Sequence, residues 1–298
     1  MKPAIFRDTE IQQKFDKDGY VLFDFITEDQ AKAIGEKFYQ LHDTIPAGFY
    51  ADAFSPDDEI KREIFEHTEA IIQPTFDKFF KDYKKLGSTF LCKGVGPEGN
   101  VKVHQDWMTV DENKYYTGTI WIPIQDTNEE NGALRVIPGS HQFFDSYRSN
   151  NIPVSYKGSE QLLWDNMLTI NMKAGQALVI NHAIIHGSSP NLSAKERLVI
   201  AYGITCKDAK LLFYHMEPKS KDNFVEKFDM PDDFFLKYYN VGDRPLIGNM
   251  VDRFPYKVRT YSNNEIQTMI NTELKNRGLL KKSIKKRSIF DKIKLLFQ

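Results

Sequence analysis

Seven short apolar runs between residues 90 and 204, with Gly, Asn and Pro at their boundaries, restrict the middle of this chain to a core built from strands. They read F-L-C-K-G-V (90–95), N-V-K-V-H-Q-D-W (100–107), Y-T-G-T-I-W-I-P-I (116–124), A-L-R-V-I-P (133–138), L-T-I-N-M (168–172), A-L-V-I-N (177–181) and R-L-V-I-A-Y-G-I (197–204). Gly132 and Gly139 bracket one of these strands, and Gly175 marks the turn into another. Short strands of this kind fit an antiparallel double-sheet barrel whose mouth can host a site. The expected fold is mainly β: a double-stranded β-helix, the cupin-like jelly roll, with flanking N-terminal helices and a C-terminal helical extension.

The helices are expected at residues 9–17, 27–42 and 57–81, with the strand-like G-Y-V-L-F-D-F between the first two. Thr27 with Gln30 forms a capping-box pattern, and Ala31, Ile34, Phe38 and Leu41 recur at helical spacing. Ser55 and Pro56 are placed as the cap and first turn of the third helix. A single catalytic domain over 1–270 follows, with a helical part at 9–85, a jelly-roll core at about 86–205 and a lid-bearing part at 206–270. A basic tail takes up 271–298.

Within the second run, V-K-V-H-Q-D-W sets His104 and Asp106 two residues apart, and N-H-A-I-I-H-G-S supplies His182 and His186 downstream. Alternate residues of a strand share a face, so His104 and Asp106 point one way while Gln105 and Trp107 point the other. One more imidazole from a later strand completes a triangular face of an octahedron. Two histidines and a carboxylate with open positions suit redox iron, whereas zinc prefers a closed tetrahedron and does no redox work. His182 and His186, four apart, share a face in an extended segment. The residues alone support either as the third ligand, with His182 alternatively a supporting donor or a core histidine. His141, in P-G-S-H, is read as orienting a loop, and His42, His67 and His215 as structural.

The setting of these residues is more specific than the residues themselves. From Thr117 to His141 the chain reads T-G-T-I-W-I-P-I-Q-D-T-N-E-E-N-G-A-L-R-V-I-P-G-S-H, and from Met172 to Arg197 M-K-A-G-Q-A-L-V-I-N-H-A-I-I-H-G-S-S-P-N-L-S-A-K-E-R. In order and spacing, over about residues 12–205, this resembles the phytanoyl-CoA dioxygenase family of Fe(II)- and 2-oxoglutarate-dependent oxygenases. The resemblance implies iron on His104, Asp106 and His186, the far carboxylate of 2-oxoglutarate on Arg197, and Lys93 near that cosubstrate. An arginine fork suits this task because it meets a carboxylate with two parallel hydrogen bonds. The implied reaction consumes dioxygen, releases succinate and CO2, and hydroxylates a small-molecule or lipid-like substrate. Desaturation, epimerisation or ring closure are open to the same oxidant. Halogenating relatives have alanine or glycine at the carboxylate position, so Asp106 argues for hydroxylation. The rival readings are a non-catalytic jelly-roll binding protein and a cupin-like metal enzyme that does not use 2-oxoglutarate.

Two stretches read as irregular and lid-like, 142–166 and 206–249, the second rich in aromatic residues including Phe228, Phe234, Phe235, Tyr238 and Tyr239. These rings line a substrate pocket or pack a C-terminal subdomain. Residues 275–298 hold nine Lys or Arg against one Asp, so a chain of formal charge −1 carries about −9 before them. Ile289, Ile293 and Leu296 recur at helical spacing among those lysines, which suits peripheral membrane contact through 279–298, a helix docked on the barrel or a disordered basic end. No nucleic-acid partner is expected, since the barrel sequence is not basic. With two cysteines, no apolar leader in M-K-P-A-I-F-R-D-T-E and no long apolar run, the expectation is a cytoplasmic protein, or one peripheral at the membrane surface.

Overall fold

The computed structural model describes residues 2–45, 47–217, 223–237 and 242–278. The elements in chain order are α1 (Thr9–Asp18), β1 (Tyr20–Asp24), α2 (Glu28–Leu41), β2 (Phe49–Ala51), α3 (Asp58–Phe79), β3 (Tyr83–Lys93), β4 (Val101–His104), β5 (Thr117–Pro123), β6 (Leu134–Val136), α4 (Glu160–Asp165), β7 (Leu168–Thr169), β8 (Gln176–Asn181), β9 (His186–Ser188), β10 (Arg197–Cys206), β11 (Leu211–Met216), β12 (Phe224–Met230), α5 (Phe234–Lys237), β13 (Asn249–Pro255) and α6 (Asn263–Asn276). Strand order in the larger sheet is β1-β8-β5-β10-β3-β2, and in the smaller sheet β4-β9-β6-β7. From β3 to β10 the chain steps back and forth between the two, with every ladder antiparallel. That alternation makes a double-stranded β-helix, the fold expected from the sequence.

Parity along the strands explains why both faces of the larger sheet are apolar. Leu198, Ile200, Tyr202 and Ile204 of β10 join Ile120, Ile122, Phe90 and Cys92 in the layer under the helices, where Ile34, Phe38, Ile64, Ile72 and Phe76 cover them. The opposite parity, Trp121, Leu178, Ile180 and Val199, meets Leu134 and Val136 of the smaller sheet and fills the space between the sheets. Arg197 and Lys93 carry this inner parity, and the two are directly opposed across the β10–β3 ladder. The N-terminal region belongs to the barrel as well, since β1 pairs with β8 at the edge of the larger sheet.

Local chemistry sets the helix starts. The capping box at Thr27 and Gln30 is present in full, with the Gln30 amide N–H donating to the Thr27 hydroxyl and the Thr27 N–H to the Gln30 side chain. At the third helix the cap is Asp57, not Ser55; the carboxylate accepts from the N–H groups of Glu59 and Ile60, while Ser55 Oγ accepts from Asp57 N. A carboxylate at that position also meets the positive end of the helix dipole.

Where α1 hands over to β1, Gly19 has φ +74°, and a Cβ there would stand 2.4 Å from His141 Nδ1. His141 Nε2 is bound to the Asp16 carbonyl, so its ring locks the turn from the other side. Gly19→Ala is expected to destabilise the fold by about 2–4 kcal/mol, the sum of a left-handed backbone and an overpacked contact. A urea midpoint unchanged from wild type would contradict this account of the turn.

The 206–249 stretch departs from expectation. Strands β11 and β12 within it form, with β13, a three-stranded antiparallel sheet, so this region is largely scaffold. Phe228 and Phe234 are buried in the main apolar layer, and Phe235 packs against it; Tyr238 and Tyr239 lie outside the described residues. Helix α6 crosses position 271, where the sequence reading began the tail, and buries Ile266 and Ile270 against Phe144, Tyr156 and Leu163. Residues 279–298, with the apolar stripe of Ile289, Ile293 and Leu296, also lie outside the described residues. Among the described residues both cysteines are free and buried, and no helix is long and apolar enough to cross a membrane.

Candidate metal and cosubstrate site

His104 ends β4 and His186 begins β9, and the two are register partners in the smaller sheet, which brings their rings to 4.0 Å. Asp106 lies just past the end of β4, so strand alternation does not reach it. The chain turns there, and Asp106 Oδ1 comes to 3.7 Å from His104 Nε2 and 3.6 Å from His186 Nε2. The three ligand atoms all fall within 4.8 Å of one another. Adjacent ligands of an ion bound at about 2.1 Å stand roughly 3 Å apart, so this donor set is close to closing on a metal.

The imidazoles are aimed by their own backbone. His104 Nδ1 is 2.8 Å from the Lys102 carbonyl, and His186 Nδ1 is 3.0 Å from the Ile184 carbonyl. A carbonyl only accepts, so Nδ1 carries a proton in both rings, and each Nε2 is directed toward Asp106 as the nitrogen left to ligate. Burial, reinforced by the neighbouring His186, lowers the His104 pKa to about 4, which keeps that ring neutral and ready to ligate. For Asp106, burial acts to raise the pKa, but His186, His182, His104 and the Thr119 hydroxyl together outweigh it and hold the carboxyl below the usual carboxylate range.

His182 does not reach the cluster as a ligand. Its Nε2 is 3.2 Å from Thr119 Oγ1, whose hydroxyl donates to Asp106 Oδ2 at 3.1 Å. Having spent its proton on the carboxylate, Thr119 accepts from His182 Nε2–H, so His182 Nδ1 accepts from Thr117 at 3.1 Å. The chain from Thr117 through His182 and Thr119 thereby occupies Oδ2 and leaves Oδ1 free. Sequence reasoning missed Thr117 and Thr119, although the T-G-T spacing placed both on one face of β5. Thr119→Val is expected to weaken divalent-metal binding about 10- to 100-fold and, by unpairing His182 Nε2, to cost about 1–3 kcal/mol of stability. An unaltered metal affinity would remove the relay from the site.

Arg197 and Lys93 form a second cluster. Arg197 is 1% and Lys93 0% exposed. Burial lowers the Arg197 pKa to about 10, and burial followed by the Arg197 charge lowers Lys93 to about 6. Lys93 Nζ donates to the carbonyls of Ser188, at 3.1 Å, and Ser189, at 2.5 Å. Arg197 sits 5.2 Å from the Trp121 ring, with Nε and one terminal nitrogen buried and unpartnered. Buried cations ordinarily carry partners, and among the described residues no carboxylate pairs with either. Gly132 closes the wall of this cradle: it has φ +76°, and a Cβ there would stand 2.5 Å from the Ser189 carbonyl and 3.1 Å from Lys93 Cδ. This glycine serves the cradle as well as the turn. The link to the metal cluster is β9, which carries His186 and, two residues on, the carbonyl of Ser188.

Two cavities meet at His104 and Asp106. One of about 750 Å³ is lined by His104, Gln105, Asp106, Trp107, Arg148 and Trp164 among others, with most of residues 146–156 forming its outer wall. The other, of about 350 Å³, lies against the inner face of the larger sheet, with His104, Asp106, Thr119, His182 and Ala201 on its walls. Gln105 and Trp107 therefore border the cleft beside the cluster rather than facing away from it, because alternation ends with β4 at His104. Of the two lid-like stretches, 142–166 lines the larger cleft, whereas 206–249 contributes to these linings only Phe235, in the smaller cavity.

Residues 15–199, more than half of the chain, match the phytanoyl-CoA dioxygenase (PhyH) family. The chain is 25% identical over 235 residues to a phytanoyl-CoA dioxygenase of Arabidopsis thaliana, covering 71% of this chain and 81% of that one. It is 34% identical over 120 residues to phytanoyl-CoA dioxygenase domain-containing protein 1 of Rattus norvegicus, covering 37% and 40% of the two chains. Among solved structures it is similar to the non-heme alpha-ketoglutarate-dependent carbocyclase SnoK from nogalamycin biosynthesis, with TM-score 0.48, 17% identity and 68% and 86% of the two chains covered. It is also similar to HygX from Streptomyces hygroscopicus with nickel and 2-oxoglutarate bound, with TM-score 0.48, 15% identity and 66% and 86% covered. The chain belongs to the phytanoyl-CoA dioxygenase family. It is thus an oxygenase of the class that depends on Fe(II), 2-oxoglutarate and dioxygen.

Proposed function

We propose that His104, Asp106 and His186 hold Fe(II), that Arg197 with Lys93 holds the far carboxylate of 2-oxoglutarate, and that the enzyme hydroxylates a small organic molecule admitted through the 750 Å³ cleft. The observation that carries this reading is the convergence of two imidazole Nε2 atoms and one carboxylate oxygen, with His104 and Asp106 lining both of two adjoining cavities. When bound, iron with 2-oxoglutarate supplies the oxidation in which one oxygen atom of O2 enters the substrate as hydroxyl and the other enters succinate, with loss of CO2.

The chain's own residues supply position. Arg197 offers donors that nothing else among the described residues satisfies, so a carboxylate placed there replaces unmade hydrogen bonds and neutralises a buried charge. Trp107, Tyr147, Trp164, Ile152 and Val154 give the cleft apolar walls, and Lys102, Glu160 and Gln161 add polar ones, a mixture suited to a substrate with an apolar body and polar groups. A lipid-like molecule meets that description. Peripheral membrane contact through residues 279–298 and a cytoplasmic location belong to the same reading, and sedimentation with anionic vesicles, with and without those residues, tests the first.

The Lys93 amine sets a sign for pH dependence. Its pKa of about 6 leaves it largely neutral at pH 7, whereas a bound carboxylate favours the ammonium. Binding of 2-oxoglutarate therefore takes up a proton above pH 6, and the affinity falls as pH rises, by at most about tenfold per unit. Anaerobic calorimetry with Fe(II) at pH 6, 7 and 8 is expected to show this fall in wild type and a flatter profile in Lys93→Met. No binding of 2-oxoglutarate at any of these pH values would remove the cosubstrate from the proposal.

A further inference from the structure

We infer that Arg148 is a positioning residue for the Asp106 carboxylate, and that through it the 146–151 segment of the cleft wall and the metal site behave as one unit; this rests on the metal reading above.

The argument begins with backbone hydrogen bonds. Asp106 lies beyond the end of β4, in a segment, residues 105–109, that belongs to no strand. Its peptide groups need partners from elsewhere if the carboxylate is to keep one direction. Arg148 Nε donates to the Asp106 carbonyl at 2.9 Å, and the Arg148 carbonyl accepts from Met108 N at 3.1 Å. Arg148 thus clasps the chain on both sides of Trp107, whose indole N–H donates to Asn150 Oδ1 at 2.8 Å. The Arg148 guanidinium is anchored in turn by the Glu112 carboxylate. Arg148 is 8% exposed, and the Glu112 side chain 15%.

This arrangement does more than fold a loop. A carbonyl fixed at Asp106 fixes the peptide plane from which the Asp106 side chain departs, while Thr119 fixes the far end of that side chain at Oδ2. Asp106 is thereby held at both ends, its carboxylate by Thr119 of β5 and its backbone by the cleft wall. The wall itself is braced from behind, because Ser155 O accepts from Tyr261 N at 2.9 Å and Ser159 Oγ donates to Asn263 at the start of α6. Trp107 and Asn150 line both cavities and form the partition between them. A molecule seated against residues 146–152 presses on the same side chains that aim the metal-ligating carboxylate.

An ammonium cannot replace the guanidinium here. Arg148 contacts the Asp106 carbonyl with Nε and Glu112 with a terminal nitrogen, two directions set by one rigid plane. The R148K substitution keeps a charge for Glu112 but loses the simultaneous bond to Asp106.

The test is a Co(II) titration followed by visible absorption on wild type, R148M, R148K and D106A, with circular dichroism melting of each. Wild type is expected to bind, and D106A to lose binding by 100-fold or more. R148M is expected to bind 10- to 100-fold more weakly, with R148K closer to R148M than to wild type. A second readout is limited proteolysis at residues 146–151, which Co(II) should slow in wild type and not in R148M. R148M and R148K binding within twofold of wild type, with the melting temperature alone lowered, would make the clasp merely structural and overturn the inference. If R148M does not fold, R148K decides on the same criterion. Failure of wild type itself to bind Co(II) overturns the metal reading and the inference with it.

Discussion

Asp106→Ala is expected to lower Fe(II) affinity about 100- to 1000-fold and to abolish iron-dependent turnover of 2-oxoglutarate, while the apo protein keeps its fold. The first expectation follows from charge. An imidazole ligates a metal as a neutral donor, so Asp106 is the one anion among the three proposed ligands, and its Oδ1 is the atom both Nε2 positions face. The Asp106 side chain is 27% exposed, and removing the one anionic partner from such a part-buried site costs on the order of 2–5 kcal/mol, with each 1.4 kcal/mol tenfold in affinity. The second follows from position. Asp106 belongs to no strand ladder, its carbonyl remains available to Arg148, and Thr119 retains His182 as a partner. Metal titration and thermal melting on one preparation separate the two effects, and a variant that bound Fe(II) as wild type does would dismantle the triad.

Arg197→Met should raise the Kd for 2-oxoglutarate by about 30- to 1000-fold, and its effect on stability should change sign with the ligand. Arg197 is 1% exposed, with Nε and one terminal nitrogen unpartnered among the described residues, and its charge adds to burial in depressing the neighbouring Lys93. Methionine fills a similar volume without a charge to desolvate, so apo R197M should melt at or above the wild-type temperature. With Fe(II) and 2-oxoglutarate present the order reverses, because only wild type gains the stabilisation that grows with ligand concentration over Kd. The affinity range is the loss of about 2–4 kcal/mol from charged hydrogen bonds in a buried site. A structural ion pair at Arg197 predicts the opposite apo result, with R197M destabilised whether or not ligand is added.

Much of the fold was legible because parity is a strong constraint. A-L-V-I-N and R-L-V-I-A-Y-G-I could be placed as strands from their length and boundaries, and Thr27 with Gln30 announced a helix start that the structure contains in full. The sheet at β11, β12 and β13 was not legible, since its strands are rich in large aromatic and charged residues and are interrupted by long connections that read as irregular. The same limit applies at the site. The pattern H-x-D placed two of the three clustered side chains, but strand alternation suggested that Gln105 and Trp107 turn away. The strand ends at His104, and from there the path depends on Arg148 and Asn150, some forty residues downstream, which no local pattern connects to Asp106. His182 was recognised as a rival to His186. What separates them is that His186 is the register partner of His104, whereas His182 lies in the turn between the two sheets.

The most direct test of the central claim is succinate formation from 2-oxoglutarate under oxygen by the purified protein, with and without added Fe(II), with D106A in parallel. Uncoupled turnover can appear before a substrate is known. The account predicts succinate that requires Fe(II) and disappears in D106A. Turnover independent of Fe(II), or equal in D106A, would contradict it, as would the absence of turnover combined with no anaerobic binding of 2-oxoglutarate to the Fe(II)-loaded wild type.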